Sequence, residues 1–198
     1  RVARIDLVLV EIDPLLAQFA AANARFNGVG HARVETLDVT ASAKAFAAAG
    51  LGPASADVVM MNPPFNDPAR HRSSPDARRV RAHVAEATTL ETWIHAARRI
   101  LRPGGTLTMI WRADGLADVL GALARGFGGV SVMPVFAKPG AAAIRVLVRA
   151  TKGSRAPSAY FPGITLADEA GVPSAEFERV ARGDAPLGFG SEASKRAP

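Results

Sequence analysis

Ala56-Asp57-Val58-Val59-Met60-Met61-Asn62-Pro63-Pro64-Phe65 joins an apolar run to a segment that cannot extend it. Residues 56–61 have the length and aliphatic density of a buried strand. Two successive prolines then remove ladder donors, so the chain leaves the sheet at Asn62. Upstream, residues 5–10 (Ile-Asp-Leu-Val-Leu-Val) read as another buried strand, closed by Glu11-Ile12-Asp13-Pro14. Asp13 is a natural N-cap and Pro14 a natural first helical residue. Leu15, Leu16, Phe19, Ala22 and Phe26 then recur at helical spacing until Asn27-Gly28 stops the run. A short strand over 32–38 and an alanine-rich helix over 41–49 complete a β-α-β-α-β order up to Met61.

Downstream, a polar loop is expected to about Arg81. Val84, Ala87, Leu90, Ile94, Ala97 and Leu101 line one helical face, and Pro103-Gly104-Gly105 ends that helix before a strand over 106–111. A helix over 116–127 and a strand over 130–136 follow. Lys138-Pro139-Gly140 then turns the chain into residues 144–149, whose partial alternation suits an antiparallel strand with one wet face. Alternating elements closed by a hairpin predict an α/β fold, a doubly wound and mostly parallel sheet with one reversed strand near its edge. The domain is expected over residues 1–152. Residues 153–198, where periodicity fades into scattered Gly and Pro, are expected to form an arm packing on that core, with one short helix over 174–181.

At 198 residues with 48% hydrophobic and 21% charged side chains, the chain has the size and composition of one globular domain. No apolar stretch approaches the ~20 residues that cross a bilayer. Asp6 and Glu11 interrupt the segment where a signal peptide needs an apolar core. The absence of cysteine excludes disulfides and thiolate zinc sites, and the four histidines offer no ligand pair at helical spacing, so no metal is expected. The net charge is +6, and residues 151–198 hold six basic and six acidic side chains, so the whole excess lies in residues 1–150. An anionic partner fits that excess. Trp93, Trp111 and Tyr160 read as packing aromatics.

Three polar positions, Glu11, Asp38 and Asn62, follow three successive strands at the edge where open α/β sheets bind ligands. An acid after such a strand accepts hydrogen bonds from ribose hydroxyls, which makes Glu11 a cofactor candidate; the competing reading is a carboxylate that satisfies helix-entry N–H groups. Asp38 suits an adenine amino group or, equally, a turn. Asn62-Pro63-Pro64-Phe65 carries the most chemistry. The Asn62 amide oxygen and the Pro63 carbonyl can both accept from one planar amino group, the prolines stiffen the loop, and Phe65 offers a ring for a base. Two acceptors hold an amino nitrogen with its lone pair turned toward an electrophilic methyl. The competing reading is an Asn-Pro turn with a core Phe, and placement straight after the apolar strand favours the chemical one.

Val10-Glu11-Ile12-Asp13-Pro14, Leu37-Asp38-Val39, Asn62-Pro63-Pro64-Phe65 and Leu101-Arg102-Pro103-Gly104-Gly105 together resemble class I S-adenosylmethionine-dependent methyltransferases of the amino-methylating type. Within that family the chain is similar to bacterial tRNA(Val) adenine-N6 methyltransferases and to related predicted O-methyltransferases. The resemblance implies a Rossmann-like fold and S-adenosylmethionine as cofactor. It places Glu11 at the cofactor ribose and Asp38 at its adenine, with Ile12, Val39 and Asn62 completing the cofactor contacts. Asn62, Pro63, Pro64 and Phe65 become the catalytic segment. Phe65 stands where Tyr is more usual, and stacking survives that exchange. The family's first strand and glycine-rich motif lie before Val2 and are not in this sequence, so the reading expects a fragment.

Between Phe65 and the next helix stand Arg70, His71, Arg72, Arg78, Arg79, Arg81 and His83, against Asp67 and Asp76. A basic loop beside the catalytic segment can hold phosphates while a base enters the site; a solvated surface loop is the competing reading. The expectation is therefore a cytoplasmic enzyme that methylates the N6 amino group of adenine in RNA, with tRNA the foremost partner, no membrane and an oligomer open. Its rivals are methylation of a protein glutamine amide, O-methylation of a small molecule, and a non-catalytic RNA-binding module on the same fold.

Overall fold

The computed structural model describes residues 5–64 and 76–189, with side chains described at 5–64 and 88–189. The chain divides between Ser55 and Ala56 into two compact units. The first contains β1 (Val8–Glu11), α1 (Pro14–Phe26), β2 (Arg33–Thr36) and α2 (Ala43–Ala48). β1 and β2 pair in parallel, with Val8 opposite Arg33 and Glu11 opposite Thr36. α1 starts as its sequence dictates: Asp13 is the N-cap, its Oδ1 accepting from the backbone N–H of Leu15 (2.7 Å) and Leu16 (3.2 Å), and Pro14 follows. Ser42 caps α2 in the same way, accepting from Ala45 N–H at 3.3 Å. The buried apolar residues of this unit are Ala17, Phe46 and Leu51.

The second unit contains β3 (Ala56–Met61), α3 (Asp76–Ile100), β4 (Leu101–Arg112), a 3-10 turn at Ala113–Gly115, α4 (Leu116–Leu123), β5 (Phe127–Phe136) and β6 (Ala143–Lys152). Two short strands, β7 (Ala159–Tyr160) and β8 (Ile164–Thr165), precede α5 (Ala175–Ala181). The sheet runs β3-β4-β6-β5-β7, with β8 also on β5. β3 and β4 are parallel, with Met61 opposite Met109, while β6 is antiparallel to both β4 and β5. The reversed strand thus lies between β4 and β5, since the chain crosses to form β5 before the hairpin brings β6 back through the gap. Together the described strands form an α/β arrangement in which parallel pairs predominate.

Leu107, Met109 and Trp111 of β4 and Val146, Val148 and Ala150 of β6 alternate onto one face, where Leu90 and Ile94 of α3 and Val119 and Leu123 of α4 cover them. Each fully buried aliphatic side chain contributes about 1.5–3 kcal/mol by leaving water. Lys152 closes this layer: its Nζ donates to the carbonyls of Arg98 (2.7 Å) and Leu101 (2.6 Å), satisfying acceptors that the end of α3 leaves open.

Two differences from the sequence reading have physical causes. α3 begins at Asp76, well before the expected Val84, so Arg78, Arg79 and Arg81 have helical backbone where a loop was expected. Arg and Ala are strong helix formers, and a high density of charge does not break a helix. The arm gains β7 and β8, which pair in parallel with β5 at Ser131–Val132 and Val135–Phe136. Two-residue strands have no periodicity to read; they exist because the edge of β5 offers unpaired N–H and C=O groups. Gly163 allows that approach, since a Cβ there would meet the ring of Phe136 and sit 2.7 Å from the Pro134 carbonyl.

Candidate functional site

At the C-terminal end of the two-stranded sheet, the register of β1 and β2 brings Glu11 and Asp38 to the same edge: Glu11 lies opposite Thr36, and its carbonyl accepts from Leu37 N–H at 2.9 Å. Glu11 is half-buried, and its Oε1 accepts from Asp13 N–H at 3.0 Å. The two readings of Glu11 therefore divide between its oxygens. One serves the entry of α1, and Oε2 makes no hydrogen bond to a described residue. Ile12 beside it is 61% exposed, an apolar surface next to an open carboxylate oxygen.

Asp38 forms a turn on itself. Its Oδ1 accepts from Thr40 N–H at 2.7 Å, and its carbonyl accepts from Ala41 N–H. The Thr40 backbone N–H, and then the Thr40 hydroxyl, hold its carboxyl below the ordinary range, so the group is ionised and purely an acceptor at neutral pH. Val39 is half-buried next to it.

In the second unit β3 ends at Met61 and delivers Asn62-Pro63-Pro64 to the C-terminal edge of the six-stranded sheet. Pro63 is fully buried, while Asn62 and Pro64 on either side are exposed. A rigid ring anchored in the protein thus holds the Asn62 backbone, and the Asn62 side chain makes no hydrogen bond to a described residue. That combination leaves both the oxygen and the nitrogen of the amide without a partner among the described residues. Phe65, Arg70 and Arg72 lie outside the described residues, and for Arg78, Arg79 and Arg81 the helical backbone is what is described.

One pair at this edge was passed over in the sequence. β4 runs three residues beyond the Met61–Met109 pair and ends at Arg112, whose Nε and Nη2 donate to the two carboxylate oxygens of Asp114 at 2.9 and 2.6 Å. The Arg112 guanidinium holds the Asp114 carboxyl below its usual range. The signal was an Arg and an Asp two apart at a strand end, weak because local ion pairs of that spacing are common at turns. Trp111 is buried as expected of a packing aromatic, whereas Tyr160 is 69% exposed. Among the described residues no cluster of His, Cys, Asp or Glu could hold a metal ion, and no helix is long and apolar enough to cross a membrane.

Compared with known proteins, the chain matches no family model. It is 32% identical over 114 residues to the tRNA1(Val) (adenine(37)-N6)-methyltransferases of two strains of Porphyromonas gingivalis, an alignment covering 56% of this chain and 42% of each relative. The chain therefore spans less than half the length of the curated relatives it matches. Among solved structures it is similar to a predicted O-methyltransferase from Agrobacterium tumefaciens, with a TM-score of 0.73 and 26% identity over 92% of this chain and 79% of that one. By its structural likeness to that protein the chain has the fold of the S-adenosylmethionine-dependent methyltransferases, and in sequence it resembles those that act on tRNA adenine.

Proposed function

We propose that the protein is an S-adenosylmethionine-dependent methyltransferase that acts on the exocyclic N6 amino group of an adenine in tRNA. The observation that carries this reading is Asn62: an open amide on a backbone clamped by buried Pro63, at the C-terminal edge of the sheet. In support stand the similarity to enzymes of that activity and the arginine excess over residues 66–83. A protein-amide acceptor gives less reason for that excess.

The acceptor chemistry of the first unit fits the cofactor. Glu11 Oε2 is open to ribose hydroxyls, the ionised Asp38 carboxylate is an acceptor for an adenine amino group, and Ile12 and Val39 flank them. When bound, the cofactor would supply a methyl on a sulfonium, an electrophile that needs no metal and whose sulfur leaves as a neutral thioether as the methyl–sulfur bond breaks. Asn62 Oδ1 and the Pro63 carbonyl accept the two N–H bonds of the target amino group, which turns the nitrogen lone pair out of the base plane. Phe65 stacks on the base. Because the nitrogen becomes cationic as it bonds to carbon, its proton is acidic and leaves to water, so no strong general base is required. The protein's contribution is alignment and exposure of the lone pair. In this reading residues 1–152 form the catalytic domain and residues 153–198 its arm, the helix-borne Arg78, Arg79 and Arg81 join Arg70 and Arg72 in holding phosphates, and the enzyme works in the cytoplasm, where tRNA is used.

The test incubates the full-length protein with labelled S-adenosylmethionine and unmodified total tRNA, then digests the RNA to nucleosides for mass analysis. N6-methyladenosine is the expected product. Cofactor binding without a methylated nucleoside would move the acceptor to a protein amide or small molecule, and failure to bind the cofactor would favour a non-catalytic module.

A further inference from the structure

The end of α3 remote from Asn62 carries a feature that the transfer reaction does not use. Between α3 and α4 lies a cavity of about 310 Å³ lined by Glu91, Thr92, His95, Arg98 and Arg125. Arg98 is held in place before any ligand arrives. Its Nη1 donates to the Arg125 carbonyl at 2.6 Å and its Nη2 to His95 Nδ1 at 3.3 Å, leaving the remaining guanidinium N–H groups for a ligand. Gly126, at φ +110°, is required beside it, because a Cβ there would sit 2.9 Å from Arg98 Cδ. A guanidinium has no acceptor, so His95 Nδ1 accepts and the imidazole carries its proton on Nε2, a further donor.

A cation at the end of a helix has an ordinary purpose, opposing the macrodipole, and Arg98 alone would serve it. Arg125 is not accounted for in that way: its backbone fixes Arg98, while its exposed side chain makes no hydrogen bond to a described residue. Two guanidinium groups against the single carboxylate of Glu91 leave the groove net positive, and its N–H donors match the several acceptor oxygens of a phosphate.

We propose that this groove binds a backbone phosphate of the RNA acceptor, a second contact remote from the methylated base; this rests on the reading of the acceptor as structured RNA. Arg98 lies three residues before Leu101, which pairs with Ala56 at the start of β3, whereas Asn62 follows the other end of that six-residue strand, so groove and site lie about 20 Å apart at 3.3 Å per residue. A structured RNA offers backbone phosphates at that distance from its target base.

The experiment measures binding of an unmodified full tRNA transcript over a series of salt concentrations, for the wild-type protein, Arg125→Glu and Arg125→Lys. Arg125→Glu is expected to weaken tRNA binding about tenfold and to lower the salt slope by about one phosphate contact. Arg125→Lys should restore most of both. Unchanged tRNA affinity and slope in Arg125→Glu would overturn the groove and leave the transfer reading intact. A wild-type protein that does not bind the tRNA would overturn both.

Discussion

In the unit that ends at Ser55, α1 buries Ala17 and leaves Leu15, Leu16, Phe19 and Phe26 more than half exposed, whereas in the unit that begins at Ala56, α3 and α4 bury Leu90, Ile94, Val119 and Leu123 to 3% exposure or less. α1 and α3 alike have apolar side chains at helical spacing, so spacing alone does not distinguish them. The difference teaches that an apolar stripe states what a helix can bury and leaves open what it meets. It also separates two kinds of chemistry. Glu11 and Asp38 stand on a thinly packed pair of strands, and Asn62 stands on a sheet backed by a continuous hydrophobic layer.

If the two regions divide the work as proposed, substitutions in them should move different quantities. Asn62→Ala should lower turnover by about 1000-fold, in line with the loss of a preorganised polar group that acts in the transition state. Cofactor affinity, measured by calorimetry, should stay within several-fold. Unchanged turnover would remove the acceptor role from the second unit.

The packing contrast can be tested by melting the 198-residue chain. Leu107→Ala, in the covered layer, should cost about 2–5 kcal/mol, while Phe19→Ala on the open face of α1 should stay within about 0.5 kcal/mol. A comparable loss at Phe19 would show that α1 meets a partner surface, and the contrast between the units would fail.

Glu11→Gln should raise the cofactor Kd about tenfold by weakening a charge-assisted acceptor, with turnover at saturating cofactor close to wild type. A change in turnover without a change in Kd would place Glu11 on the acceptor side. The smallest effects belong to pH. Asp38 is held below its ordinary range by Thr40, and Asp114 by Arg112, so each contributes stability that is complete above the ordinary carboxylate range and is lost as pH falls through its lowered value. Melting curves from about pH 5 to pH 2 should show a flatter acid decline in Asp38→Asn and in Asp114→Asn, one variant for each unit. A decline as steep as wild type in either would mean that its hydrogen bonds do not distinguish the folded from the unfolded chain.

Much of this could be read from local chemistry. Asp13-Pro14 specified the start of α1, because a capping carboxylate and a fixed φ act within three residues. Residues 56–61 announced β3, and Asn62-Pro63-Pro64 its end, because proline cannot donate to a ladder. The resemblance rested on the same short motifs, and the fold it implied is the one that the structural likeness shows. By contrast, the extent of α3 is hidden, since Arg78, Arg79 and Arg81 suit a solvated loop by their charge and a helix by their propensity.

What the sequence determined by itself, then, was the order and type of the main elements and the residues that end them, for those depend on neighbours a few positions away. Tertiary structure alone decided that β6 lies between β4 and β5, that the arm adds β7 and β8 to an edge, and that Arg98 is fixed by a carbonyl 27 residues distant. It also decided that Glu11 gives one oxygen to α1 and leaves the other without a partner among the described residues. Such features depend on pairings between distant segments, where loop closure, unpaired backbone groups and packing compete. No local pattern records which of those pairings wins.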